Sequence, residues 1–311
     1  MTTAPNPSPV NGADRCLFYG SYLLRASVLI HALALFIIVF QTRQTQFGVL
    51  LFMNWLSEFE DPYLAAVLVE KITVSLYLVA ALVIVFKPYW PLLLFIAGYA
   101  FLEAYASAAN SGFRYSEWSP AAQALRYGAP LVLLILVGAP KFEALRTWRL
   151  PLAVSLLRVF VAVVFFTHGY LALLGSPGFI DLIIGTSGNI FGARLSESAA
   201  VVLLKWIAVI DFCVALAVLV YPIPLLVPRS LWAGPCRICP IRRGILPGLM
   251  CWLALWGLVT ALSRMTSLGL PTGLWQYPEL LLRGSHFLGP LALWALFAAM
   301  MDRNRTTGKW E

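Results

Sequence analysis

The chain reads as an all-α integral membrane protein: eight transmembrane helices in two parallel-repeat four-helix bundles, with interfacial amphipathic helices on the outer face. Three observations predict this. Sixty per cent of the 311 residues are apolar and only 12% are charged, with a mean hydropathy of +0.82, whereas charged residues alone make up about a quarter of a soluble domain. The apolar residues fall into eight runs near the roughly 20 residues that a spanning helix needs. Finally, the polar punctuation recurs in one order. The first half has Leu23-Leu24-Arg25, Lys71, Pro88, Arg126 and Gly128-Ala129-Pro130, and the second has Leu156-Leu157-Arg158, Lys205, Pro222, Arg283 and Gly289-Pro290.

Residues 1–20, rich in Pro, Asn and Ser, cannot bury a core and read as a disordered cytoplasmic N-terminus. The first bundle, 21–140, has spans at 22–40, 64–86, 89–107 and 123–139. Gln41-Thr42-Arg43-Gln44 follows the first span with no small-residue cleavage site, so that span is an uncleaved anchor. A cytoplasmic linker at 141–152 leads to the second bundle, 153–301, with spans at 153–174, 199–221, 245–263 and 285–301 and a cytoplasmic insertion at 223–244. A cytoplasmic tail, 302–311, closes the chain. The long connections, Gln41 to Tyr63, Ala108 to Ala122, Gly175 to Ser198 and Met265 to Gly284, mix aromatics with charge, which suits short helices lying at the interface.

Register supports duplication. Lys71 to Lys205 and Pro88 to Pro222 share a spacing of 134 residues, Arg25 to Arg158 has 133, and Arg126 to Arg283 has 157, so the second copy gains about 23 residues between its second and third helices. Four helices per copy give both copies one orientation, related by a pseudo-twofold along the membrane normal. The spans carry no Gly/Pro interruptions at corresponding positions. Most of the 22 Lys and Arg fall on the side of both termini, which the positive-inside rule places in the cytoplasm. The formal charge of +8 then reflects topology and anionic lipid, not nucleic acid.

Ionisable residues at hydrocarbon depth mark the candidate site, because a charge there is expensive unless paired or functional. Asp211 lies roughly 16 Å from the inner end of its helix, and His168 about 22 Å from the inner end of its own. Tyr77 holds the place matching Asp211 in the first half. With Tyr170, Lys205, Arg283 and His286, Asp211 and His168 predict a polar pocket in the second bundle that opens outward. Lys205 and Asp211 stand about 120° apart on their helix and should not pair. In the first half, Glu70, Lys71, Glu103 and Arg126 form a matching, more structural network. The plainer readings are snorkelling for Lys71, Lys205, Arg126 and Arg283 and helix packing for His168. His31 lies near mid-membrane. Haem is disfavoured because the three histidines, His31, His168 and His286, sit at different depths and form no paired pattern.

Cys236 and Cys239, in the basic insertion, form the only Cys-x-x-Cys. They read as an incidental reduced pair, a redox dithiol, or half of a metal site shared with a partner. No metal follows from the sequence, since a structural site needs four ligands. Cys16, Cys213 and Cys251 stand alone. No nucleotide cradle, nucleophile elbow or metalloprotease helix is present. Gly98, Gly128, Gly138, Gly169, Gly248 and Gly257 read as points of close helix packing.

The run from Arg158 to Gly175, which ends Thr-His168-Gly169-Tyr-Leu-Ala-Leu-Leu-Gly175, is followed by an amphipathic loop and a helix containing Asp211. With Arg283-Gly-Ser-His286-Phe-Leu-Gly289-Pro290, it resembles the DoxX-like family of bacterial four-helix membrane proteins. The resemblance covers about 156 to 300, and 23 to 138 more faintly. It departs in having Asp211 where Glu is usual, no His-Gly pair in the first copy, and a tandem arrangement. It implies an accessory or ligand-holding subunit of a quinone-linked membrane redox complex, partnered by lipids and other complex subunits. A quinone or lipid is the ligand in view, and catalysis is left open. The alternatives are a small-molecule or lipid transporter, and a scaffold or assembly subunit that docks a partner through its outer loops.

Overall fold

The computed structural model describes residues 12–41, 44–110, 115–137, 148–220, 239–267 and 275–306, with backbone alone at 13, 239–246 and 302–306; among them there is no strand. The longer helices are α1 (Gly12–Phe40), α3 (Pro62–Phe86), α4 (Trp90–Asn110), α6 (Ala124–Val137), α7 (Leu150–Leu173), α9 (Glu197–Val220), α10 (Cys239–Thr266) and α12 (Gly284–Thr306). Between them lie α2 (Gln46–Leu50), α5 (Ser119–Ala122), α8 (Pro177–Phe191) and α11 (Tyr277–Leu282). Eight stretches are long and apolar enough to cross a membrane: Asp14–Phe40, Pro62–Phe86, Trp90–Asn110, Ser116–Val137, Leu150–Leu173, Glu197–Val220, Pro247–Thr266 and Tyr277–Met301. They fall on the eight expected runs.

The ends differ from expectation. Helix α1 begins at Gly12, inside the segment expected to be disordered, with Asp14 in its first turn where the helix dipole favours an anion. Helix α7 starts inside the expected linker with Pro151 in its first turn, where the missing N–H costs nothing. Helix α10 begins within the expected insertion, and α12 runs to Thr306 in the expected tail. A polar sequence can continue a helix beyond the hydrocarbon, so the apolar run understates helix length.

Helices α1, α3, α4 and α6 pack in a ring, each against the next, with α6 returning to α1. In the second half α7 packs on α9 and α12, and α12 on α10, while α8 bridges α9 and α10. The halves meet through α1 on α12, α6 on α7, and α6 on α12. One apolar core runs through both. Glycines bring the backbones close along this seam: a Cβ on Gly20 would strike Leu296, one on Gly128 would strike Phe160, and one on Gly289 would press on Leu125 at 3.0 Å. Gly169 and Gly257 are also close contacts, but a Cβ on Gly98 or Gly248 meets nothing within 4 Å, and Gly138 lies outside the described residues.

Two local devices recur. Arg25 Nη1 donates to the Val85 carbonyl at 3.0 Å, and Arg158 Nε donates to the Val218 carbonyl at 2.9 Å; both bonds span 60 residues. Each arginine therefore caps the C-terminus of the helix that follows its own, where carbonyls lack partners and the dipole favours a cation. The second device is a helix break. Arg126 N bonds to the Gln123 carbonyl (2.8 Å) and His286 N to the Arg283 carbonyl (2.9 Å), and each break precedes an in-helix proline, Pro130 or Pro290. This matches Gln123 with Arg283 and Arg126 with His286, a spacing of 160 rather than 157. The breaks fall where the connections were expected to give way to the spans at 123 and 285, the second directly before Gly284.

Helix α2 also departs from expectation. Instead of lying at the interface it enters the first bundle, where Phe47, Gly48 and Leu50 are buried.

Candidate functional site

The short helices α2, α5, α8 and α11 lie together at one end of the molecule, its capped end. A cavity of about 450 Å³ lies in the second half, walled by α7, α8, α9, α10 and the start of α12. Four of the six expected residues line it: Asp211, His168, Arg283 and His286. The other two do not. Tyr170 turns to the seam between the halves, its ring 4.9 Å from that of Trp118, and Lys205 is exposed on the outer surface of α9. Lys205 stands on a face of α9 away from Asp211, as their angular separation requires.

The His168-Gly169 pair has a physical explanation. His168 projects into the cavity, while Gly169 lets α9 approach: a Cβ there would stand 3.0 Å from the Asp211 Cβ and 3.2 Å from the Ala208 carbonyl. His168 Nδ1 lies 2.8 Å from the Val164 carbonyl and must be the donor, which leaves Nε2 of the neutral ring as an acceptor. Its ring stacks on Phe179 of α8 at 6.0 Å and meets the His286 ring edge to face at 5.3 Å. The two histidines therefore share one level of the cavity, against the expectation that they lie at different depths. Position along a helix ignores where the neighbouring helix begins, and α12 starts beside the middle of α7's outer half.

His286 is fixed from two sides. Its ring bonds to the Ala122 carbonyl of α5, tying the cavity wall to the first half. Pro290 has no N–H to reach the His286 carbonyl, and Gly257 packs on that oxygen so closely that a Cβ would come within 2.6 Å. Asp211, only 3% exposed, accepts a hydrogen bond from Trp256 of α10. Helix α8 roofs the cavity: Asn189 Nδ2 donates to the Thr266 and Ser267 carbonyls, both at 2.9 Å, and Gly185 packs against Ser267.

The first half is filled at this level. Tyr77 is fully buried, its hydroxyl 2.9 Å from His31 Nδ1 and its ring 4.9 Å from that of Tyr99. Nearer the capped end, Glu70 and Glu103 are buried and receive the start of α2. Thr45 N donates to Glu70 (2.9 Å), Phe47 N donates to Glu103 (3.0 Å), Gly48 N also bonds to Glu70, and the Thr45 hydroxyl lies between the two carboxylates. These glutamates occupy the orphan N–H groups of a helix start, the role an external anion takes elsewhere. The expected four-residue network is therefore divided: Lys71 Nζ lies over the Phe40 ring at 5.6 Å, and Arg126 bonds to Gln123 at 2.7 Å. Nothing local in the sequence marks Thr45 and α2 as a backbone segment that two distant glutamates will hold.

Among the described residues no group of three metal-ligating side chains occurs. Cys236, and the side chain of Cys239, lie outside the described residues. No protein-family model, curated protein or solved structure matches this chain.

Proposed function

We propose that the chain is a tandem DoxX-like protein of the bacterial inner membrane whose second four-helix unit holds an amphiphile, a quinone or lipid, for a membrane redox complex. The observation that carries the reading is the cavity where Asp211, His168, Arg283 and His286 converge, beside a first half whose equivalent level is filled by Tyr77. Ligand pockets of this size are lined mainly by apolar side chains with a few convergent polar groups, and this one fits that description. The recurring arginine caps and helix breaks support duplication. With spacings of 134 for the second helix and 160 for the third, Glu70, Tyr77, Tyr99 and Glu103 correspond to Leu204, Asp211, Val259 and Ser263, and all four of the latter line the cavity. On this reading the cavity is the space left when two tyrosines and Glu103 are replaced by smaller residues, and Leu204 puts an apolar side chain where Glu70 stands. The redox link rests on the family resemblance, and the cytoplasmic placement of both termini on charge distribution.

The test is extraction and mass spectrometry of lipids and quinones that co-purify with the protein in mild detergent, alongside Asp211→Tyr, which refills the cavity. A bound amphiphile in the wild type that is lost in the variant supports the reading; equal content in both removes it. The transporter alternative gains from one observation, the paired breaks at Gln123 and Arg283, because discontinuous helices at corresponding positions frame substrate sites in transporters. Uptake by proteoliposomes that depends on the intact cavity would favour it.

A further inference from the structure

We infer that the ligand of the second-half cavity is a single-chain amphiphile with an anionic oxygen headgroup, seated at Arg283 and admitted sideways from the bilayer between α9 and α10. This rests on the reading that the cavity is a ligand site.

The head is specified by charge. Arg283 lines the cavity at its capped end, on the break between α11 and α12. Its electrostatic neighbours are Arg264, Arg126 and a single acid, Glu279. Among the described residues no carboxylate stands within ion-pair distance of Arg283, and Arg126 Nε and Arg264 Nε are buried without a hydrogen-bond partner. The start of the long helix α12 adds its positive dipole end beside them. The carboxylate of the cavity, Asp211, does not neutralise this end. It is not among the electrostatic neighbours of Arg283, and it is engaged by Trp256. The three guanidinium groups have two carboxylates near them, Glu279 and, beside Arg126 alone, Glu103, which is already committed to the start of α2; an anion is lacking, and guanidinium pairs bidentately with carboxylate or phosphate.

The tail and the route are specified by the walls. Apart from Asp211, the two histidines and a few hydroxyl side chains, the lining beyond Arg283 is apolar, as at Phe165, Leu204 and Ile207. Helices α9 and α10 make no extensive contact with each other, and α8 joins them only at the capped end. Leu203 of α9 and Val259 of α10 line the cavity and are also 42% and 45% exposed on the surface that faces lipid. A chain lying in the bilayer can slide between them with its head toward Arg283, leaving α8 in place.

Trp256, inside the cavity, is the reporter. The full chain in nanodiscs of zwitterionic lipid is titrated with dodecanoate, dodecyl phosphate and dodecanol, each brominated at the terminal carbon, and quenching is assigned to Trp256 by its loss in Trp256→Phe. At least one of the two anionic probes should reach half-quenching at a mole fraction about tenfold below that of the alcohol, the difference expected of one charge-assisted pair. The relative strength of carboxylate and phosphate identifies a fatty acid or a single-chain phosphate such as a lysophospholipid. Arg283→Gln should bring the anion to the alcohol's level while leaving the alcohol unchanged, which also shows that the variant is folded; Arg283→Lys should retain part of the preference. Alcohol and anions quenching equally in the wild type would overturn the anionic head and leave the ligand site standing. No quenching of Trp256 by any probe would overturn the site itself.

Discussion

The two halves put buried polar groups to opposite uses. In the first, Glu70 and Glu103 hold the start of α2, and Tyr77 closes the bundle against His31 and Tyr99. In the second, Asp211, His168, Arg283 and His286 face open space under α8. A filled bundle is self-sufficient, whereas a bundle with a cavity forfeits packing energy of about 24 cal/mol per Å³ of residual void. The second half therefore gives up stability in exchange for interior space.

The largest effect should come from imposing the second half's choice on the first. Tyr77→Asp removes a fully buried aromatic and its bond to His31, and should cost about 4 kcal/mol or more, read as a large fall in melting temperature. The converse, Asp211→Tyr, should raise the melting temperature of ligand-free protein; a fall would contradict the contrast between the halves. Next in size, Gly257→Leu drives a side chain into the His286 carbonyl and should cost about 3 kcal/mol by forcing α10 from α12. The arginine caps should rank below these and differ from one another. Arg158 reaches the carbonyls of both Val218 and Leu219 and is 4% exposed, while Arg25 bonds to Val85 alone. Arg158→Met should cost about 2 kcal/mol and Arg25→Met about 1 kcal/mol, and a reversed order in thermal unfolding would refute the ranking. The smallest effect belongs to Lys205→Gln, which should change neither melting temperature nor ligand content because its side chain leaves the bundle.

Much of the fold could be read from the chain, because membrane spans are written as apolar run length and nothing else competes with that signal. Asp211 and His168 were legible for a related reason: a carboxylate or imidazole in hydrocarbon stands out against its neighbours. Tyr170 and Lys205 were separable from them by helix geometry alone, since Tyr170 stands about 200° around the helix from His168 and Lys205 about 120° from Asp211. The breaks at Gln123 and Arg283 fall at the expected starts of their spans; what the sequence leaves open is how the short helices before them, Ser119–Ala122 and Tyr277–Leu282, are placed. The burial of α2 is hidden as well, since it depends on Glu70 and Glu103 from two other helices.

The contact of α1 with α12 bears on how the chain is made. Of the eight spans, the first has its most extensive partner in the eighth, so this seam stays open until the eighth is made. Until then α1 depends on α3 and α6 within its own half, and Gly20 and Ile30 wait for Leu296 and Gly284 of the eighth span. Loss of the eighth span would leave the first half with one flank bare and the cavity without the wall that carries His286.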